Sequence, residues 1–200
     1  MTLLVGKPAP NFTALALMPD NSVNTEFNLD QYITGKVGVV FFYALNFSYV
    51  CPTEIIALNN RMAEFQARGA QVVGVSVDSH LSHIWWKNLP VARGGIGQIQ
   101  FPLVSDLTRR VAQGYDVLVN DSLCLRATFI IDKIGVVRYQ AVHDLPIGRN
   151  IDEILRTIDA LQHHEQTGYV CPANWSKGKE AVKPDVDGLA QFMNKNAGSL

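Results

Sequence analysis

The stretch Tyr43-Ala44-Leu45-Asn46-Phe47-Ser48-Tyr49-Val50-Cys51-Pro52-Thr53-Glu54 carries the most telling chemistry in the chain. A cysteine is a nucleophile as its thiolate, and at a pKa of about 8.5 only a few per cent is thiolate at neutral pH. Cys51 stands where a β-rich apolar run has ended and a helical pattern begins, and Pro52 suits the first helical position. Free backbone N–H groups and the positive dipole end gather at such a point and favour a charged sulfur. Ser48, three residues upstream, can offer a hydroxyl to the same pocket. The competing reading is a small buried hydrophobe, and placement alone leaves both open. A phosphatase loop would need an arginine at position 57, which is Ala57.

The elements that must position Cys51 follow from the apolar pattern. Val37-Gly38-Val39-Val40-Phe41-Phe42-Tyr43 reads as a strand buried on both faces. Ile55, Leu58, Met62 and Phe65 form one face of a helix that Gly69 ends, and Val72 to Val77 is a second buried strand. Strand, helix, strand makes a parallel crossover. Residues 12–29 alternate around Pro19-Asp20-Asn21-Ser22, a hairpin. His80 to Leu89 reads as a short helix and Gly94 to Pro102 as a loop. Ala127 to Asp132 and Val136 to Val142 are strands joined at Lys133-Ile134-Gly135. Ile151 to about Gly168 is an amphipathic helix. Residues 172–200 change to a polar composition, an arm with a short helix from about Val186 to Lys195.

Composition excludes several classes. Net charge is −1 from 17 basic and 18 acidic side chains, so there is no electrostatic footprint for nucleic acid or an anionic membrane. No apolar run is long enough to span a bilayer, and the N-terminus lacks the pattern of a signal peptide, so a cytoplasmic address is expected. Three cysteines are too few for a disulfide scaffold, and in a reducing compartment a cysteine that forms a disulfide is catalytic or redox-sensing. Cys124, among apolar residues, reads as a buried thiol. His80 and His83 lack a third ligand for a metal, and Trp85 and Trp86 read as core and shell residues. Gly95-Ile96-Gly97-Gln98 lacks the third glycine of a dinucleotide fingerprint, and Arg109-Arg110 is too short for a nucleic-acid patch.

Val50-Cys51-Pro52-Thr53-Glu54 resembles the active-site loop of the typical 2-Cys peroxiredoxins, the alkyl hydroperoxide reductase C type, whose pattern is Pro-x-x-x-Thr-x-x-Cys. The resemblance implies that Cys51 attacks a peroxide O–O bond and becomes a sulfenic acid. Arg126, in Leu125-Arg126-Ala127-Thr128, falls where the family's active-site arginine falls, and Asp144-Leu145-Pro146-Ile147-Gly148-Arg149 looks like its second arginine segment. Glu54 and Tyr43 match positions of a hydrogen-bond network orienting the first arginine. Gly168-Tyr169-Val170-Cys171-Pro172-Ala173-Asn174-Trp175 looks like the resolving-cysteine segment, which implies a Cys51–Cys171 disulfide, in this family usually between subunits. Ala44 replaces the family proline, Ser48 the threonine, and Asn46 stands where a carboxylate is common. Gly94-Gly95-Ile96-Gly97 resembles the Gly-Gly-Leu-Gly loop of members that over-oxidise easily; of their C-terminal Tyr-Phe, Gln191-Phe192 keeps half.

The expectation is therefore an α/β, thioredoxin-like fold with an N-terminal β-hairpin and a C-terminal extension arm. Residues 1–165 would form the peroxidase domain and 166–200 the arm. The resemblance implies reduction of hydrogen peroxide and small organic hydroperoxides with no metal, flavin or haem. It implies recycling by a thioredoxin-type dithiol protein, and a homodimer that assembles further into a ring of five dimers. A holdase chaperone when over-oxidised is the secondary reading. A disulfide oxidoreductase for proteins is disfavoured because the chain has no Cys-x-x-Cys.

Overall fold

A computed structural model describes residues 2–200. In chain order the elements are β1 (Thr13–Leu17), β2 (Val23–Asn28), α1 (Leu29–Ile33), β3 (Val37–Phe42), α2 (Cys51–Asn60), α3 (Met62–Ala67), β4 (Ala70–Ser76) and α4 (His80–Asn88). There follow β5 (Leu103–Ser105), α5 (Arg110–Gly114), β6 (Leu118–Val119), β7 (Leu123–Cys124), β8 (Arg126–Ile131), β9 (Val137–His143), α6 (Ile151–Thr167) and α7 (Val186–Asn196). Seven strands form one mixed sheet in the order β2-β1-β5-β4-β3-β8-β9, and β6 pairs with β7 apart from it. The two central pairs, β3 with β4 and β4 with β5, are parallel. Both outer flanks are antiparallel.

Every residue of β3 is buried, as a central strand covered on both faces requires. Alternate side chains serve opposite layers. Val40 and Phe42 join Val73, Val75, Val104, Phe129 and Ile131 in a cluster closed by Leu29 and Ile33 of α1 and by Val111, Ala112 and Tyr115. The Tyr115 ring lies 5.1 Å from Phe42 and 4.8 Å from Phe129. On the other face Phe41 meets Phe101 edge-on at 5.6 Å, and Tyr43 lies against Trp86 of α4 at 5.9 Å. Gly74 on β4 faces this layer, where a Cβ would come within 2.8 Å of both Leu103 and Phe41.

The long helix expected between Ile55 and Gly69 is two helices. The apolar face continues through both, but Arg61 leaves the helical region at φ −107°, ψ 9°, and its amide bonds to Leu58 three residues back. The β1–β2 hairpin turns at Pro19 to Ser22 with Asn21 at φ +69°, closed by Met18 N–H donating to Ser22 O at 2.9 Å. Strand β5, not anticipated from the sequence, is three residues long and fully buried.

The chain divides into two compact units, one ending at Ile151 and one running Asp152–Leu200. The second contains most of α6 and all of α7, with an antiparallel bridge between Val170 and Val182. Asp185 caps α7, its carboxylate accepting from Gly188 N–H at 2.7 Å. Trp175 and Phe192 are buried in this unit.

Candidate active site

Strand β3 runs into the loop 44–50, and the loop ends at Cys51, the first residue of α2. Cys51 is fully buried. The Thr53 and Glu54 amides are already taken by the Val50 carbonyl at 3.0 and 3.3 Å, and Pro52 has no N–H. A side chain therefore supplies the donor at the sulfur. Arg126, the first residue of β8, donates from Nη1 to Cys51 Sγ at 3.2 Å and to Glu54 Oε2 at 2.7 Å. Its Nε donates to Leu145 O at 2.7 Å, so the guanidinium is held at both ends.

Arg149 is equally buried and completes the cluster. Its Nη1 lies 2.9 Å from Glu54 Oε2, and its main-chain N–H donates to Glu54 Oε1 at 3.0 Å. Nε donates to Thr128 Oγ1 at 2.9 Å, Nη2 to the Ala127 and Phe42 carbonyls, and the guanidinium lies 5.3 Å from the centre of the Phe41 ring. Two guanidinium charges face one carboxylate and one sulfur. The buried group is neutral when that sulfur is a thiolate and carries a net positive charge when it is a thiol. Uncompensated buried charge is costly, so the two guanidiniums complement negative charge at this point of the site. Burial works against the charge on Arg126, but Cys51 and Glu54 outweigh it and hold the guanidinium above its ordinary value. Burial dominates at Arg149 and pulls it down to about 10, with Glu54 opposing.

The structure thus brings together Cys51, Glu54, Arg126 and Arg149, residues up to 98 positions apart in a chain that offers no local clue to their meeting. Ser48 Oγ is buried without a hydrogen-bond partner among the described residues. Tyr43 differs from the expectation that it orients the first arginine. Its hydroxyl donates to Asn46 Oδ1 at 3.0 Å, because its ring is packed between Phe41 and Trp86.

Asn46 is the residue whose importance the sequence understated. Its N–H donates to Asp78 Oδ2 at 2.9 Å and its Nδ2 to Ser82 Oγ at 3.0 Å. Nδ2 also lies 2.9 Å from His83 Nδ1. Burial pushes His83 down to about 4, so near neutral pH its Nδ1 accepts from Asn46. This amide ties the loop leading to Cys51 to α4, and the Phe47 ring, 5.9 Å from that of Trp86, adds a second contact between them. Thr128 was also missed; the signal for it is its place two residues after Arg126 on one strand, which puts both on the same face.

The other cysteines differ from Cys51. Cys124 is buried in the core, and burial raises its thiol to about 12. Cys171, in the second unit, is half-buried, with its thiol donating to Ala160 O at 3.6 Å. All three are free thiols. Among the described residues no helix is long and apolar enough to cross a membrane.

Known proteins bear on this geometry over the whole chain. The AhpC/TSA family pattern matches residues 5–140, and that of the C-terminal domain of 1-Cys peroxiredoxin matches residues 160–195. Alkyl hydroperoxide reductase C of Helicobacter pylori is 45% identical over 195 residues, 98% of each chain. Peroxiredoxin-1 of Gallus gallus is 45% identical over 192 residues, 96% of each. The crystal structure of reduced Plasmodium vivax 2-Cys peroxiredoxin superposes with a TM-score of 0.94 at 49% identity, covering 96% of this chain and all of that one. The sheet with its flanking helices is accordingly a thioredoxin-like peroxiredoxin fold. Likeness of this extent, joined to a cysteine held by a buried arginine at a helix start, shows that the chain belongs to the AhpC/TSA family and is a thiol-dependent peroxidase.

Proposed function

We propose that Cys51 is the peroxidatic nucleophile and Cys171 the resolving one. The observation that carries the reading is the single Arg126 nitrogen shared between Cys51 Sγ and Glu54 Oε2 inside the protein. A guanidinium fixed on a carboxylate cannot swing away, so its charge is in place before a peroxide arrives. The Cys51 thiolate attacks one peroxide oxygen. An S–O bond forms, the O–O bond breaks, and the second oxygen leaves with a proton as water or an alcohol. Sulfur loses two electrons and ends as sulfenic acid. Arg126 faces the oxygen as charge develops on it, and Arg149 and Glu54 hold Arg126 in position.

Cys171 of a second copy then attacks the Cys51 sulfur. An S–S bond forms and the hydroxyl leaves as water. A thioredoxin-type dithiol protein reverses the bond by exchange, becoming oxidised in turn. The substrates are hydrogen peroxide and small organic hydroperoxides, and the working form is a homodimer, assembled further into a ring of dimers. Residues 1–165 carry the peroxidase site and 166–200 the arm with the resolving cysteine, in a cytoplasmic setting where the reductant is available.

The test mixes the reduced protein with one equivalent of hydrogen peroxide and quenches within seconds, with non-reducing gels and disulfide mapping by mass spectrometry. A covalent dimer joined Cys51 to Cys171, lost in Cys51→Ser, is the expected result. A bond within one chain would remove the intersubunit step, and thiols that survive would remove the assignment of Cys51.

A further inference from the structure

The second unit holds Cys171 in an organised place. The segment Cys171–Trp175 lies along one side of α6, a side made by Arg156, Ala160 and His163, which recur at helical spacing. Ala160 O accepts the Cys171 thiol at 3.6 Å, and the methyl side chain there permits that approach. His163 lies 5.0 Å from the Trp175 ring. Arg156 Nη1 donates to the Trp175 carbonyl at 2.9 Å, four residues beyond the cysteine. The other edge of its guanidinium is fixed on Glu153, with Nε donating to Oε2 at 2.6 Å and Nη2 to Oε1 at 2.8 Å. A fork clamped on a carboxylate one turn back is not a mobile surface arginine.

We propose that Arg156 is the positioning residue of Cys171: it clasps the resolving segment by its main chain and sets a fixed positive charge near the thiol that must attack the oxidised Cys51. The proposal rests on the resolving role given to Cys171 above. That attack forms an S–S bond, expels the sulfenic hydroxyl as water, and begins from the Cys171 thiolate. Partial burial raises the Cys171 thiol, and Arg156 is the group that opposes the rise. Other titratable groups around the segment include Glu153, Asp159, His163 and His164 of α6, with Lys177, Lys179 and Lys183 in the chain beyond Trp175. Glu153 is spent on Arg156.

The test reads Cys171 directly. The reduced full chain is alkylated with iodoacetamide across pH 6–10, and labelling of the Cys171 peptide is followed by mass spectrometry. The rate of Cys51–Cys171 bond formation after one equivalent of peroxide is measured across the same range. In Arg156→Gln the labelling inflection should move to higher pH. Bond formation near neutral pH should slow severalfold and recover as pH rises, because at a pH well below its pKa a thiol has about tenfold less thiolate each time that pKa rises by one. Arg156→Lys keeps the charge and loses the fork, so its inflection should stay near that of the unsubstituted protein. An unmoved inflection in Arg156→Gln, or a loss of the same factor at every pH in both variants, would overturn the charge role. Failure of the unsubstituted protein to form the Cys51–Cys171 bond would overturn the resolving role itself, and is visible before any variant is compared.

Discussion

One nitrogen, Nη1 of Arg126, touches both the Cys51 sulfur and the carboxylate of Glu54 that fixes it. On the role proposed for Cys51, such a charge is placed to meet negative charge at the sulfur as well as to neutralise the carboxylate. Arg126→Gln keeps a planar donor group but is shorter and uncharged, so it cannot reach the sulfur while also answering Glu54. Loss of one preorganised donor at developing negative charge costs about 10²–10³ in rate. The second-order rate of Cys51 with hydrogen peroxide, measured by trapping the sulfenic acid over time, should fall by about that factor in Arg126→Gln. The same measurement on Cys124 should give no reaction in either protein, because that thiol is buried, faces no arginine and stays protonated to about pH 12. A rate in Arg126→Gln within about twofold of the original would move the activation of Cys51 from the guanidinium to the helix start.

Loop 44–50 and helix α4 are coupled through Asn46, and this link has a pH dependence of known sign. The folded protein keeps His83 neutral down to about pH 4, while the unfolded chain protonates it near 6.5. Between those values the unfolded state binds more protons, so stability is fully present above the unfolded value and falls as pH drops toward the folded one. The loss from pH 7 to pH 5 should be about 2 kcal/mol in urea unfolding. His83→Gln, which retains an acceptor for Asn46 Nδ2, should remove most of that slope. A slope of equal size in the variant would take it away from His83; Asp78 could not supply it, because burial raises that carboxyl and a raised carboxyl gains stability as pH falls. Elements like α4 were legible beforehand: its helix, the β1–β2 and β8–β9 hairpins and the β3 run are written in periodicity and turn residues. Strand β5 was not, because Leu103-Val104-Ser105 is too short to show a period and owes its pairing to β1 and β4. Within the site, the strand-to-helix junction singled out Cys51 as a candidate, but placement alone left a small buried hydrophobe equally open. The arginines could not be found that way: β8 and the turn before α6 reach Glu54 only through the fold, and their positions came from likeness to a family. Tyr43 shows the limit of that likeness, since ring packing sends its hydroxyl to Asn46.

Cys51 is buried in the first unit and Cys171 is half-buried in the second, and on the proposed roles of the two sulfurs this bears on what must move for them to join. Cys51 has no exposed surface and sits in the first turn of α2. A disulfide needs its sulfurs about 2.05 Å apart and its Cα atoms within about 7 Å. A chain from another subunit cannot bring a cysteine backbone that close to a fully buried sulfur unless the cover opens. The first turn of α2 and the loop before it are suited to give way. Phe47 holds a left-handed backbone at φ +58°, and Ser48 Oγ has no partner among the described residues. Strands β3, β4 and β8 around the site are buried throughout or nearly so, and have no comparable weakness. At the other sulfur, the thiol must give up Ala160 O, and the clasp of Arg156 on Trp175 O marks where release is resisted. Hydrogen exchange read by mass spectrometry on reduced and fully disulfide-bonded protein should show faster exchange in peptides covering 44–54 and 169–176 on oxidation. Peptides from β3, β4 and β8 should be unchanged, since stability is distributed unevenly and opening draws on the least supported segments. Equal protection of 44–54 in both forms would mean that Cys51 is reached without unwinding α2, and that the burial seen in the reduced chain is not what limits disulfide formation.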